Sequence, residues 1–352
     1  MTPSDRPLIV VTGSSGLIGS SLCHRLTKRF EVVGLDLDAP ENPPSSSFHF
    51  IPIDLTKDSN VATAWQKIER EHGPKVASIV HLAAYYDFSG EPSDMYEKLT
   101  VEGTRRLLKE ATRRQVEQFI FSSTLLVMKP VEREGQRLDE DSETLAEWAY
   151  PESKLRSEAV IHEERGDIPA VILRIAGIYD DSGHSLPLAQ HIQRIWNRDL
   201  ESFLFPGDVS HGQPYLHLDD LVTLIEHAID RRRSMSGAEV FLAAEPEVLS
   251  HEDLQSQLGT LIHGRTWPTL EIPAPVAKVG AWIKERLPGD EFIKPWMIDL
   301  ADDHYPVDIG KAKERLSWKP EHRLARSLPR IVQSMQKNPS AWFESHGIGS
   351  ES

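Results

Sequence analysis

Tyr150 and Lys154, in the run Tyr150-Pro-Glu-Ser-Lys154, stand about one helical turn apart and offer the chain proton chemistry. A phenol with an ordinary pKa of about 10 is a poor base at neutral pH. A lysine four residues on lies on the same helix face and can hold a positive charge against it, which favours the phenolate. The spacing predicts that Tyr150 accepts a proton from a substrate hydroxyl while hydride leaves the same carbon.

A hydride acceptor has a binding signature near the start. The run Leu8-Ile-Val-Val-Thr-Gly-Ser-Ser-Gly-Leu-Ile-Gly19 puts glycines at 13, 16 and 19, directly after a strand and opening a helix. Gly13 permits a tight turn, Gly16 lets backbone approach a pyrophosphate, and Gly19 lets helix pack on strand. Free N–H groups at the helix start then face the phosphates, so Ser15, Leu17 and Ile18 join the glycines as cofactor-binding residues. Asp36 ends the second strand, where an acid hydrogen-bonds the adenosine ribose and repels a 2′-phosphate. No Arg or Lys follows it, only Leu37 and Asp38, so NAD is expected rather than NADP. Asp54 and Leu55 follow the third strand. Asp54 is either a partner for the adenine amino group or an acid at a helix start.

These residues need a scaffold, and the first half of the chain supplies one. Strand-like runs cover 8–11, 32–36, 48–53, 79–82, 119–122 and 170–175, with helical patterns over 17–29, 61–71, 100–113 and 151–165 between them. Strands alternating with helices predict βαβ units and a parallel sheet with right-handed crossovers. Past Tyr179 the pattern turns irregular and rich in Pro, His and aromatic residues. A helix over 219–232 and a strand over 239–243 return to the sheet, and amphipathic helices fill most of the remaining chain. The predicted fold is α/β: a Rossmann-type doubly wound parallel sheet with a smaller, mostly helical C-terminal substrate lobe. The nucleotide-binding domain covers 1–178 with 215–245 returning to it. The substrate lobe covers 179–214 and 246–343, and 344–352 form a flexible tail.

Bulk properties narrow the partners. With 39% hydrophobic and 26% charged residues the chain reads as globular rather than disordered. A net charge of −15, with no basic stripe beyond Arg231-Arg-Arg233, argues against nucleic acid and against an acidic membrane surface. No apolar run approaches the roughly 20 residues that span a bilayer, and no export signal precedes the first strand, so a cytoplasmic setting is expected. Cys23 is the single cysteine, which excludes an internal disulfide and a cysteine zinc cluster. The histidines at 184, 191, 211, 217 and 304 lack metal-ligand spacing, so no metal is expected.

With the glycine turn and the Tyr-Lys pair placed, the chain resembles the extended short-chain dehydrogenase/reductase family, also known as NAD-dependent epimerases/dehydratases. Phe121-Ser-Ser-Thr124 closes the strand ahead of the Tyr-Lys helix, His81-Leu-Ala-Ala84 follows the fourth strand, and Val101-Glu-Gly-Thr104 opens the next helix. Arg174-Ile-Ala-Gly-Ile-Tyr179, Tyr215-Leu-His-Leu-Asp-Asp220 and Leu316-Ser-Trp-Lys-Pro320 match later landmarks in order. The resemblance implies that Thr124 hydrogen-bonds the reacting oxygen and that Lys154 also holds the nicotinamide ribose. It further implies that Leu82, Ala83 and Ala84 line the cofactor, and that the chain forms a homodimer.

Departures from the family pattern bear on the substrate. Where nucleotide-sugar members carry an asparagine after the sixth strand, this chain has Gly177. Where they carry phosphate-gripping arginines, it reads Gly212-Gln-Pro-Tyr215 and Asp302-Asp-His-Tyr305. Neither Gln nor Asp replaces a bidentate Arg on a diphosphate. The aromatics Tyr85, Tyr86, Phe88, Trp148, Tyr179, Trp196, Phe203 and Phe205 mostly read as packing, with a minority lining an apolar pocket. Tyr86, Ser123, Gly177 and Tyr179 are the candidate substrate contacts. The expected small-molecule substrate is a secondary alcohol or ketone, steroid-, terpenoid- or flavonoid-like or a simple sugar. The alternatives are a nucleotide-sugar epimerase or dehydratase, and a non-catalytic NAD-sensing regulator.

Overall fold

A computed structural model of the chain describes residues 6–87, 92–133, 135–273 and 301–348. Phe88 and the part of the expected substrate lobe at 274–300 lie outside the described residues.

Seven short β-branched runs become seven parallel strands: β1 Leu8–Thr12, β2 Glu31–Asp36, β3 Phe48–Pro52, β4 Ser78–His81, β5 Phe119–Thr124, β6 Ala170–Ile175 and β7 Ala238–Ala243. Their spatial order is β7-β6-β5-β4-β1-β2-β3. β1, β5 and β6 are buried at every position, which is why their sequences are apolar or small runs rather than alternations, broken in β6 only by Arg174, whose charge is paired with Glu158. Successive residues of β1 feed opposite layers. Ile9 and Val11 pack with Leu22 and Leu26 of helix α1 (Leu17–Leu26), while Leu8 and Val10 pack with Trp65 and Ile68 of α2 (Asp58–His72). Two further helices, α3 (Glu102–Ala111) and α4 (Ala149–Glu164), cover the α2 side. Buried Cys23 faces the α1 layer, where loss of solvation pushes its thiol up to about 12 and leaves it inert.

The chain winds outward from β1 both ways, towards β3 and towards β7. The crevice beyond the carboxyl ends of β1 and β4 is therefore the topological switch point. The helix expected over 100–113 begins earlier, with a π-helical turn at Tyr96–Val101 that runs into α3. Such turns shift the helix register and recur at functional sites.

A second core gathers α5 (Leu186–Asn197), α7 (His251–His263), α9 (Leu324–Lys337) and α10 (Pro339–Ser345) around Leu188, Ile192, Leu258, Leu328 and Trp342. Between α5 and α7, α6 (Leu218–Asp230) returns to pack on α1, as β7 returns to the sheet edge beside β6. Two expectations for the second lobe need correction. Tyr305, Val307, Ile309, Leu316 and Trp318, with α8 (Gly310–Leu316), belong to the first core rather than the second, because Leu138 pairs with Val307 and Trp318 donates to the Asp220 carbonyl at 2.9 Å. The tail expected to fray from 344 stays helical to Ser345 and buries Ile348 in the second core. Among the described residues no helix is long and apolar enough to cross a membrane.

Candidate active site

Gly13, Gly16 and Gly19 carry different burdens. Gly13 has φ of +70°, where a side chain is strained, and a Cβ there would fall 2.9 Å from the Ala83 nitrogen. A Cβ on Gly19 would fall 2.0 Å from the Gly13 carbonyl oxygen, so helix and turn touch only because the side chain is absent. A Cβ on Gly16 meets nothing nearer than the Gly13 oxygen at 3.5 Å, so its outer side is open. Gly16 is the N-cap of α1, no side chain caps the helix, and the first turn holds no acid. The amides of Leu17, Ile18 and Gly19 thus belong to an uncapped helix start, the environment an anionic phosphate needs. Beside them the buried Ser14 hydroxyl has no partner. The turn fits a dinucleotide.

Asp36 accepts from the Ser15 amide at 2.9 Å and, through its other oxygen, from the Leu37 amide at 2.8 Å. Both bonds point the carboxylate along the glycine turn, with lone pairs left for ribose hydroxyls. Asp54 is differently employed. It accepts from the amide and hydroxyl of Thr56 and pairs with Lys57 at 2.7 Å, which holds its carboxyl down at about 2. Of the two readings of Asp54, these contacts match the acid at a helix start. Leu55, expected at the cofactor, buries its side chain in the α2 layer. Leu82, Ala83 and Ala84 form the opposite wall. The Leu82 amide donates to the Thr12 carbonyl at 3.2 Å, and the Ala83 amide to the Thr12 hydroxyl at 3.3 Å.

Under that wall lies a polar chain that sequence reading missed. His81, fully buried, meets Thr12 Oγ1 at 2.7 Å and Thr104 Oγ1 at 3.0 Å. Burial, aided by the charge of Lys154, pulls its pKa down to about 3, so the ring is neutral and serves as a strut. The signal was available: a histidine inside an apolar strand, with threonines at both neighbouring landmarks.

Tyr150 and Lys154 share one face of α4. Tyr150 is half-buried, its ring 4.5 Å from Tyr86 and 5.6 Å from Trp148 between centroids. Lys154 is buried, with Nζ 4.9 Å above the Phe121 ring, and it donates to the Ser122 carbonyl at 2.7 Å. Burial pulls its pKa down to about 7, against the opposing pull of Glu158. The expectation that Lys154 lowers the Tyr150 pKa needs correction. Burial, with Tyr96 adding to it, pushes the phenol above its ordinary value, while Lys154 Nζ donates to the Ser122 carbonyl and lies over the Tyr150 ring, 5.8 Å from its centre. Thr124 ends β5 and accepts from the Leu126 amide at 3.3 Å, which leaves its hydroxyl proton free to donate.

The four substrate candidates divide. Tyr86 is 46% exposed beside Tyr150, and Gly177 is exposed at the start of a three-residue strand. Ser123 and Tyr179 are not presented to a substrate. The Ser123 hydroxyl donates to Glu158, which is itself locked to Arg174 at 2.8 Å in a buried ion pair. Tyr179 has no exposed surface and donates to Glu245 at 2.8 Å. Strand register explains the first: Ser123 points at α4, where Glu158 takes its hydroxyl. Glu158, four residues beyond Lys154, could have been found by extending the helix spacing one more turn.

The NAD dependent epimerase/dehydratase family profile matches residues 9–244. A UDP-glucose 4-epimerase of Vibrio cholerae is 24% identical, covering 95% of this chain and 98% of its own. A sterol-4-alpha-carboxylate 3-dehydrogenase (decarboxylating) of Candida albicans is 25% identical over 94% and 98%. Among solved structures, a UDP-glucuronic acid 4-epimerase of Bacillus cereus, in complex with UDP-glucuronic acid and NAD, superposes with a TM-score of 0.68. It shares 22% identity and covers 94% of this chain and 99% of that one.

Proposed function

Because the chain belongs to the NAD dependent epimerase/dehydratase family, we propose that it is an NAD-dependent oxidoreductase or epimerase acting at a secondary alcohol or ketone. The observation that carries the reading is the placement of Tyr150 and Lys154 on one face of α4, with Lys154 Nζ bonded to the Ser122 carbonyl of β5, the strand beside β4. When bound, NAD supplies the hydride acceptor. The amides opening α1 hold its pyrophosphate, and Asp36 holds the adenosine ribose and disfavours a 2′-phosphate. Tyr150, as its phenolate, would take the proton of the substrate hydroxyl, Thr124 would donate a hydrogen bond to the same oxygen, and the Lys154 ammonium, one helical turn away, would favour the phenolate and hold the nicotinamide ribose. Tyr86 and Trp148 flank the phenol. Oxidation would break the C–H and O–H bonds of the carbinol, with bound NAD as the hydride acceptor and the Tyr150 phenolate as the proton acceptor. We further place the protein in the cytoplasm, as a homodimer.

The substrate we propose is not a nucleotide-diphosphate sugar. The two stretches that lack the arginines pack against each other. Asp208 donates its amide to Asp302 at 2.8 Å, His211 meets the same carboxylate at 2.9 Å, and Gln213 donates to the Asp303 carbonyl at 3.1 Å. Carboxylates and an occupied amide there repel or ignore a diphosphate. Two missing charged hydrogen bonds, each worth about 1.5–3 kcal/mol, cost about a hundredfold or more in affinity. The second reading, nucleotide-sugar epimerisation, has one observation in its favour: the Vibrio cholerae relative covers nearly the whole of both chains. A screen of NADH formation against steroids, terpenoids, flavonoids, simple sugars and UDP-sugars, with UDP calorimetry alongside, separates the two. Turnover of an uncharged alcohol and UDP binding no tighter than millimolar are expected. Micromolar UDP binding would install the second reading.

A further inference from the structure

At the far end of the sheet from the glycine turn, three side chains from three elements converge. Glu31 opens β2, His49 lies on edge strand β3, and His72 is the last residue of α2 before Gly73. Their candidate ligand atoms all lie within 4.8 Å of one another. His49 Nε2 contacts a Glu31 carboxylate oxygen directly, and the two histidine rings stand edge to face, 4.7 Å apart at 62°. His72 Nε2 is buried and has no hydrogen-bond partner.

We propose that Glu31, His49 and His72 form a binding site for one divalent transition-metal ion of the zinc type. Two imidazole nitrogens and a carboxylate are a donor set that zinc takes at about 2.0–2.2 Å, with a fourth position left for water. Imidazole binds metal in its ring plane, and rings at 62° can aim both in-plane lone pairs at one point between them. The other His-Asp cluster among the described residues cannot do so. His217 and His322 are stacked at 15° with centroids 3.9 Å apart, and His217 Nδ1 already accepts from the Asp219 amide. An ion at the first site also answers the orphaned His72 nitrogen, which hydrogen bonding within the protein leaves unsatisfied.

The consequences are local. A metal would join β2, β3 and the carboxyl end of α2, fastening the exposed edge of the sheet. Imidazole and carboxylate bind metal only in their deprotonated forms, so binding is expected to tighten as pH rises.

The test uses the full chain without an affinity tag, stripped of metal and saturated with NAD. Zinc is titrated by calorimetry, and cobalt by visible absorption as a readout of tetrahedral coordination. One zinc per chain at micromolar affinity or tighter is expected, with heat that depends on buffer ionisation enthalpy. His72→Ala and His49→Gln should each weaken that site about tenfold or more, with circular dichroism showing an intact fold, while His322→Gln leaves it unchanged. Absence of zinc binding below millimolar concentration overturns the proposal, and so does equal affinity in the folded His49→Gln and His72→Ala variants.

Discussion

Lys154 Nζ lies 2.7 Å from the Ser122 carbonyl oxygen, and this bond fastens the middle of α4 to the end of β5. The lysine therefore has a positioning duty as well as a charge. Tyr150 has no such duty: its hydroxyl is separate from the ring packing that Tyr86 and Trp148 provide.

Tyr150→Phe is accordingly expected to lower kcat by about 10²–10⁴ with NAD affinity little changed. Lys154→Met should lower kcat and weaken NAD together, and the double variant should be no worse than the single ones imply for a unit. Steady-state kinetics on a substrate from the screen, with NAD calorimetry, checks this. Near-normal turnover by Tyr150→Phe would leave an NAD-sensing protein rather than an enzyme.

Two glycine substitutions should fail in different ways. Gly19→Ala drives a methyl into the Gly13 carbonyl at 2.0 Å and should cost about 1–3 kcal/mol of stability or more. Gly16→Ala meets only an oxygen at 3.5 Å and should fold with a loss of about 1 kcal/mol, yet bind NAD about tenfold more weakly or worse. Denaturant melts and calorimetry on the same preparations separate the effects. A Gly16→Ala variant with normal NAD affinity would remove the pyrophosphate from this turn.

Cofactor choice rests on Asp36. Wild type is expected to prefer NAD over NADP by about tenfold or more, a clash worth at least one pKa unit of interaction. Asp36→Ala should narrow that gap. It should also weaken NAD itself, because the Ser15 amide loses its acceptor. Equal dissociation constants for the two cofactors in wild type would contradict the assignment.

Glu245 predicts a pH dependence that does not involve the chemistry. Burial raises its pKa to about 7, although it accepts from the Leu324 amide and from Tyr179. A carboxyl whose folded pKa exceeds its unfolded value of about 4.5 holds its proton more tightly when folded. Its stabilising contribution is complete below that unfolded value and is lost as pH rises through 7. Relative to Glu245→Gln, which mimics the protonated form, wild type should lose about 1–3 kcal/mol between pH 4.5 and 8. Parallel melts of the two proteins across this range check the sign.

The alternation of β-branched runs with helical patterns made the sheet legible, because a strand buried on both faces is written mostly in apolar residues, with its few polar ones paired. The turn glycines were legible for a similar reason: backbone contact leaves no room for a Cβ. Ser123 and Tyr179 were misplaced because motif spacing carries no information about facing. A one-residue step along β5 turns Ser123 to Glu158, and Tyr179 reaches Glu245 across 66 positions of sequence. Composition could not show that Tyr305–Trp318 leaves its neighbours to fill the first core, since its pattern matches the helices around it. The rise of the Tyr150 pKa was not legible in the spacing because it comes from burial, which depends on the fold.

That insertion bears on how the protein is made. A nascent chain that has emerged only through Ala243 holds all seven strands, but the cover from Val307, Leu316 and Trp318 is still missing. The α1–α6 side of its sheet stays partly bare until the ribosome has added those residues, and apolar surface left open in this way invites chaperones and self-association. Maturation of the cofactor-binding half is therefore a late event in synthesis, and a fragment cut after Ala243 is expected to be expressed as aggregate rather than as a free-standing nucleotide domain.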